Sequence, residues 1–285
     1  MSITERLQLE RIDRDLFRGF SPDDGRPRVF GGQVAAQALV AAVRTIDERP
    51  VHSLHSYFLR PGDPKVPIIY EVDRVREGRS FQTRRVVAIQ NGEAIFIMAA
   101  SFQSPESGLD HQESMPDAAP AESVPSMREL IRRRAETDPF FERFEKMEIL
   151  LRIHDLNPID IEDPQPRTDP HLVWWKSEES LPDDPLLHQC VLTYASDYTL
   201  LDAAIARHGR TWFMPDMMVA SIDHAIWFHR PLRADQWLLY VTDSPSASGG
   251  RGLSFGRIYQ EDGTLVASVA QEGLMRIIDP SRRKS

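Results

Sequence analysis

Two stretches of this chain, VHSLHSYFLRPG at 51–62 and SIDHAIWFHRPL at 221–232, carry nearly the same phrase 170 residues apart. Setting Phe58, Arg60 and Pro61 on Phe228, Arg230 and Pro231 also sets Tyr57 on Trp227 and, further along, Tyr70 on Tyr240. Each phrase follows a stretch rich in small apolar residues and precedes strand-like runs around a tight-turn signal. An internal duplication restricts the fold severely, because each copy must cover the same kind of helix with the same kind of sheet.

The first copy opens with RIDRDLFRGF, which reads as a strand, and continues into FGGQVAAQALVAAVRTI. There Val34, Ala38, Leu39, Ala42, Val43 and Ile46 share one helical face, and small residues elsewhere leave little polar surface. A buried helix is expected. The run FQTRRVVAIQNGEAIFIMAASFQ holds Asn91-Gly92, a two-residue hairpin signal. In the second copy PIDIE and HLVWWKS read as strands, and LTYASDYTLLDAAIARHG as a second small-residue helix stopped by Gly209. LSFGRIYQEDGTLVASVAQEG then turns at Asp262-Gly263, aligned with the first turn at an offset of 171. The expected class is α+β: two units, each a buried central helix wrapped by a curved antiparallel sheet.

Between the copies, residues 104–126 are rich in Pro, Ser and acidic side chains and read as a linker. The stretch MRELIRRRAETDPFFERFEKMEILL has partly helical spacing interrupted at Pro139, and 157–170 holds four prolines in fourteen residues. The expected division is an N-terminal unit at 1–103, a linker with a helical segment at 104–150, and a C-terminal unit at 151–285.

With 34 basic against 43 acidic residues the net charge is −9, which argues against nucleic acid as the main partner. No apolar run approaches the roughly 20 residues that span a bilayer, so no membrane insertion is expected. The N-terminal MSITERLQLERIDRDLF lacks a secretory apolar core, and the C-terminal RRKS is not the peroxisomal tripeptide. The single cysteine, Cys190, suits a reducing compartment. A cytoplasmic location is expected.

The motifs RVFGGQVAAQAL, HSLHSYFLRPGDP, YEVDRVREGRSFQTRRV, YASDYTLLDAA, SIDHAIWFHRP and LVASVAQEGLMR resemble those of the acyl-CoA thioesterase II family. The resemblance covers both units and implies a double hotdog fold, an acyl-CoA substrate, no cofactor and self-association into a homo-oligomer. It also implies that a carboxylate, a hydroxyl and an amide hold the attacking water. Matched motif by motif, these are Asp197, Ser221 and Gln271, with Ser221 standing where the family more often has Thr.

Those groups suit thioester hydrolysis. A thiolate leaves readily, whereas water must be oriented and relieved of a proton, which a carboxylate can accept while Ser and Gln fix its other hydrogen bonds. Direct attack by water requires no covalent enzyme intermediate. Other readings stay open at each position. Asp197, behind Ser196 at the start of a predicted helix, reads as an N-cap, and a helix N-terminus there would also offer N–H groups to an oxyanion. Gln271 and Ser221 read as ordinary strand residues. His55 and His224 are candidate acid–base or pocket groups, with Asp223 beside His224. Gly31 and Gly32 mark either a tight turn or close approach of substrate. Arg74, Arg76, Arg79, Arg84 and Arg85 are candidate contacts for the CoA phosphates or solvated surface. Cys190 lacks a neighbouring base, and no metal-ligand spacing is present.

In the first copy Val51 stands opposite Ser221 and Ala100 opposite Gln271, while Asp197 falls near Ala35 when the helices are aligned on their Ala-Ala pairs. One hydrolytic centre per chain is expected, in the C-terminal unit, with the N-terminal helix forming the opposite wall. A hotdog hydratase or dehydratase and a non-catalytic acyl-CoA binding module are the alternatives.

Overall fold

A computed structural model of the chain describes residues 1–22, 25–47 and 49–278. The C-terminal RRKS lies outside the described residues. The N-terminal unit runs α1 (Ile3–Arg6), β1 (Glu10–Asp13), β2 (Leu16–Gly19), α2 (Gly31–Val43), β3 (Val51–Phe58), β4 (Ile68–Glu77), β5 (Phe81–Gln90) and β6 (Glu93–Gln103). The linker holds α3 (Met127–Ala135) and α4 (Glu142–Glu145), with a 3₁₀ turn at Pro139–Phe141 between them. The C-terminal unit runs β7 (Leu151–Asp155), β8 (His171–Ser177), α5 (Pro185–Ser196), α6 (Asp202–Ala206), β9 (Met217–Ser221), β10 (Asp223–Phe228), β11 (Leu238–Ser248), β12 (Arg251–Gln260) and β13 (Leu265–Ile277).

All the strands among the described residues join one sheet, ordered β1-β2-β4-β5-β6-β3-β10-β13-β12-β11-β8-β7, with β9 added on β13. The repeated phrase forms the seam: β3 and β10 pair antiparallel, with His55 opposite Ala225 and Ser53 opposite Trp227. The two copies therefore build one continuous sheet rather than two separate ones. The hairpin at Asn91-Gly92 has φ of 51° and 80°, the left-handed pair that a two-residue turn requires.

α2 is buried nearly all round, from Gly32 to Ala42, and packs on β4, β5 and β6 and against α5. Small residues make that helix contact close. A Cβ on Gly32 would stand 2.4 Å from the Tyr194 carbonyl oxygen of α5, too near for any side chain. The repeated tyrosines both fasten a central helix: Tyr70 Oη donates to Gln37 Oε1 at 2.8 Å, and Tyr240 Oη to the Ser196 carbonyl at 3.1 Å.

Three expectations are corrected. RIDRDLFRGF is a hairpin, β1 and β2, because Asp15 takes a left-handed φ of 58° that reverses the chain. PIDIE is not a strand; β7 lies upstream, and Pro158 supplies no N–H for a ladder. The second helix begins at Pro185 and ends at Ser196, so Asp197 caps its C-terminus, not an N-terminus. Asp184-Pro185 is the start signal: the Asp184 carboxylate accepts from the N–H groups of Leu186 and Leu187, and Pro at the first position has no N–H to lose. The helix stops where Thr193 and Ser196 hydroxyls bond back to the carbonyls of Gln189 and Thr193, competing with the helical ladder. Gly209, with φ of 63°, lies three residues beyond α6 rather than at the end of one long helix.

Candidate active site

Asp197 follows directly from α5, Ser221 ends β9 and Gln271 lies within β13. β9 pairs with β13 so that Ser221 stands opposite Gly273, two residues from Gln271 on the same strand face. This brings both polar groups to the end of α5. Ser221 Oγ donates to Asp197 Oδ1 at 2.8 Å, and Gln271 Nε2 donates to the same oxygen at 2.6 Å. Gln271 is fully buried, whereas Asp197 and Ser221 keep partial exposure, so the carboxylate is held from within and reachable from without.

Asp197 Oδ2 points the other way, toward the first unit. It lies 2.7 Å from the place a Cβ on Gly31 would occupy. Gly31 opens α2, and no side chain caps that helix, whose preceding residue is Phe30. The first N–H groups of a helix have no intrahelical partner and carry partial positive charge. The N–H-rich end beside Asp197 thus belongs to α2 of the other unit, and the C-terminus of α5 meets the N-terminus of α2. Phe58 and Phe30 crowd Gly31 and Gly32 respectively, and Phe30 lies against Tyr194 and Tyr198 with centroid distances of 5.2 and 4.5 Å. These aromatic walls were not identified as site residues from the sequence.

His224 is fully buried beside this centre, its Nε2 2.8 Å from Ser196 Oγ. Burial pushes its pKa down, against the opposing pull of Asp197 and Gln271, so the ring is neutral near pH 7. His55 is not part of the site. Strand alternation turns it to the exposed face, where it meets Trp227 edge-on at 5.2 Å. Asp223 accepts the Glu272 N–H at 2.6 Å, a sheet-edge contact. Cys190 is buried, and burial raises its thiol pKa, leaving it unreactive.

The arginine stretch is largely spoken for. Arg84 is buried and bonded to Thr45 and Glu77, Arg74 pairs with Asp15, and Arg85 pairs with Asp73. Among the described residues no group of three or more His, Cys, Asp or Glu could hold a metal ion.

Register shows what stands at the equivalent places in the N-terminal unit. Val51 opposes Phe102 as Ser221 opposes Gly273, and Ala100 occupies the strand position of Gln271. Asp197 is the C-cap of α5, as Arg44 is of α2. None of Val51, Ala100, Ala35 and Arg44 carries a carboxylate, a hydroxyl or an amide side chain.

Two buried helices side by side against one antiparallel sheet define a double hotdog protein. The same fold occurs in a hot dog fold protein from Alicyclobacillus acidocaldarius, at 21% identity over 96% of this chain and 98% of that one, with a TM-score of 0.77. Residues 21–103 match the family model for the acyl-CoA thioesterase N-terminal domain, and residues 167–274 the model for acyl-CoA thioesterase. Acyl-CoA thioesterase 2 of Haemophilus influenzae is 42% identical over 95% of each chain. Acyl-coenzyme A thioesterase 8 of Homo sapiens is 40% identical, covering 96% of this chain and 89% of its own length. The crystal structure of acyl-CoA thioesterase II TesB2 from Mycobacterium marinum is 44% identical, covers 97% of this chain and 98% of that one, and superposes with a TM-score of 0.79. The chain belongs to the acyl-CoA thioesterase family.

Proposed function

We propose that the chain hydrolyses fatty acyl-CoA thioesters to the free acid and CoA, by direct attack of a water held at Asp197, Ser221 and Gln271. The observation that carries this reading is the convergence of two side-chain donors on Oδ1 of one carboxylate, whose Oδ2 faces an uncapped helix N-terminus. The names of the relatives support the substrate class. Ser221 and Gln271 hold the carboxylate, Ser221 Oγ retains lone pairs for the water, and Gln271 Nε2 retains a second N–H.

As the water oxygen attacks the carbonyl carbon, its proton passes to Asp197 and negative charge collects on the carbonyl oxygen. The N–H groups that open α2 at Gly31 and Gly32 stabilise that charge without moving, which is where such groups contribute most. The C–S bond then breaks, CoA leaves as the thiolate, and Asp197 gives its proton up to complete the cycle. His224, neutral and bonded to Ser196, supports the Gln271 side of the centre from behind. One centre per chain is part of the proposal, supported by Val51 and Ala100 at the strand positions that match Ser221 and Gln271.

Self-association is part of the same proposal, and size-exclusion with light scattering tests it. No helix among the described residues is long and apolar enough to cross a membrane.

The decisive experiment measures thiol release from a ladder of acyl-CoAs for the native chain and for Asp197→Asn. Release by the native chain with a loss of about 10²–10⁴ in the variant supports the reading. Undiminished release in the variant removes Asp197 from the mechanism. Turnover of an enoyl-CoA with no free thiol marks a hydratase, and binding without turnover marks a binding module.

A further inference from the structure

A cavity of about 370 Å³ lies away from Asp197, Ser221 and Gln271, between the linker helix α3, the start of β8 and α6. Its volume falls in the range of small-ligand sites, about 300–1,000 Å³. One end is polar. His171, 4% exposed, donates through Nε2 to Asp155 Oδ1 at 2.9 Å, and its Nδ1 has no partner among the described residues. A buried ring nitrogen left unmatched is unfavourable unless a bound group meets it. Arg167 lines the same cavity, and its guanidinium bonds the uncharged carbonyl of Pro158 at 3.1 Å. Among the described residues Arg167 has no carboxylate within ion-pair distance, whereas Arg134 pairs with Asp160 and Glu162, and Arg210 with Asp216.

Leu130 and Ile131 of α3, Phe141 and Phe213 form an apolar wall, and the ion-paired Arg134, Asp160 and Arg210 also line the cavity. At about 30 Å³ per non-hydrogen atom at liquid density, the volume takes on the order of a dozen such atoms. That is the size of a ten-carbon acid.

We propose that this cavity is a second binding site, for an unbranched medium-chain carboxylate. The carboxylate accepts from Arg167 and from Nδ1–H of His171, and the alkyl chain lies along Leu130, Ile131, Phe141 and Phe213. For both ring nitrogens to donate, His171 must be the imidazolium. Burial, the largest single influence, opposes that form, but the charge and hydrogen bond of Asp155 together with the charge of Asp202 outweigh it, and the ring's pKa ends above its usual value. Asp202, on α6 beside the ring, has its pKa pushed up to about 7 by burial, so its negative charge is reduced where the anion would sit. A cation would instead meet Arg167 and an imidazolium, a hydrocarbon would leave Nδ1 unmatched, and an alcohol could reach Nδ1 but gives Arg167 no charge to pair with.

Isothermal titration of decanoate into the full chain tests this, with Arg167→Leu and Leu130→Trp as variants on opposite walls and circular dichroism to follow their folding. Leu130 is only half-buried, so the larger ring fills the cavity without entering the core. The expected result is saturable binding by the native chain, weakened at least about ten-fold in either folded variant, with 1-decanol binding at least about ten-fold more weakly than the acid. Asp197→Asn is expected to bind decanoate as the native chain does, which separates this site from hydrolysis. Binding that is unchanged in both variants, or lost in Asp197→Asn, places the acid elsewhere and overturns the proposal. Absence of binding to the native chain overturns it as well.

Discussion

Gly31→Ala tests whether the two units build the centre jointly. The new Cβ would stand 2.7 Å from Asp197 Oδ2 and 3.0 Å from Phe58 Cε1, both inside ordinary contact distance. The carboxylate cannot swing away freely, because Ser221 and Gln271 hold its other oxygen. It must move by about half an ångström, and misplacing a catalytic group by 1 Å costs about 10² in rate, so the expected loss in kcat/KM is about ten-fold, or ~1.4 kcal/mol of barrier. Shielding of the α2 N–H groups by the methyl adds to that loss. Folding should barely change, since Ala is favoured over Gly within a helix by up to about 1 kcal/mol, which offsets the contact. The neighbouring Gly32→Ala should do the reverse. Its Cβ meets a backbone carbonyl of α5 at 2.4 Å, which cannot rotate aside, so overpacking of about 1–3 kcal/mol appears as a lower melting temperature. Thiol release and thermal melts on both variants provide the comparison. A Gly31→Ala chain with kcat/KM within two-fold of native would refute the proposal that the N-terminus of α2 and Asp197 act together on the substrate.

Gln271→Met removes the second donor from a fully buried position and is expected to lower kcat about 10–10²-fold with little change in KM, read by steady-state thiol release. Arg44→Met, at the C-cap of α2 as Asp197 is at that of α5, is expected to leave kcat/KM within about two-fold in the same assay; a large loss would count against placing the proposed centre in the second unit alone. Asp235, hydrogen-bonded by Arg233 and by the Leu181 N–H, has its pKa lowered to about 2. A depressed carboxylate contributes stability above its unfolded pKa that fades as pH falls toward the folded value. Asp235→Asn should therefore be less stable than native by on the order of 1 kcal/mol at pH 7, allowing for the partly exposed guanidinium, with the gap closing below pH 4 in urea titrations.

Much of the fold was readable because it rests on short-range pattern. The NG and DG turns, the small-residue helix around Val34–Val43 and the 170-residue repeat each depend on local spacing, and the strand register reproduces the Ser221/Val51 and Gln271/Ala100 equivalences. The misjudged second helix was also local in principle, since Asp184-Pro185 marks its start; the apolar run continuing through Leu200 and Leu201 obscured the stop. The candidate site was less readable. Strand periodicity alone does not separate exposed His55 from buried His224, because both faces of the repeated phrase carry mixed residues.

The chain's pattern by itself determined that two helix-and-sheet units would form, and motif resemblance singled out Asp197, Ser221 and Gln271. Tertiary structure alone decided that these three meet, that His171 and Asp202 share a cavity, and that the helix end facing Asp197 is α2, 166 residues earlier, rather than the helix carrying it. The physical reason is that β3 and β10 pair across the seam and draw α2 and α5 together, a contact set by the packing of both units at once.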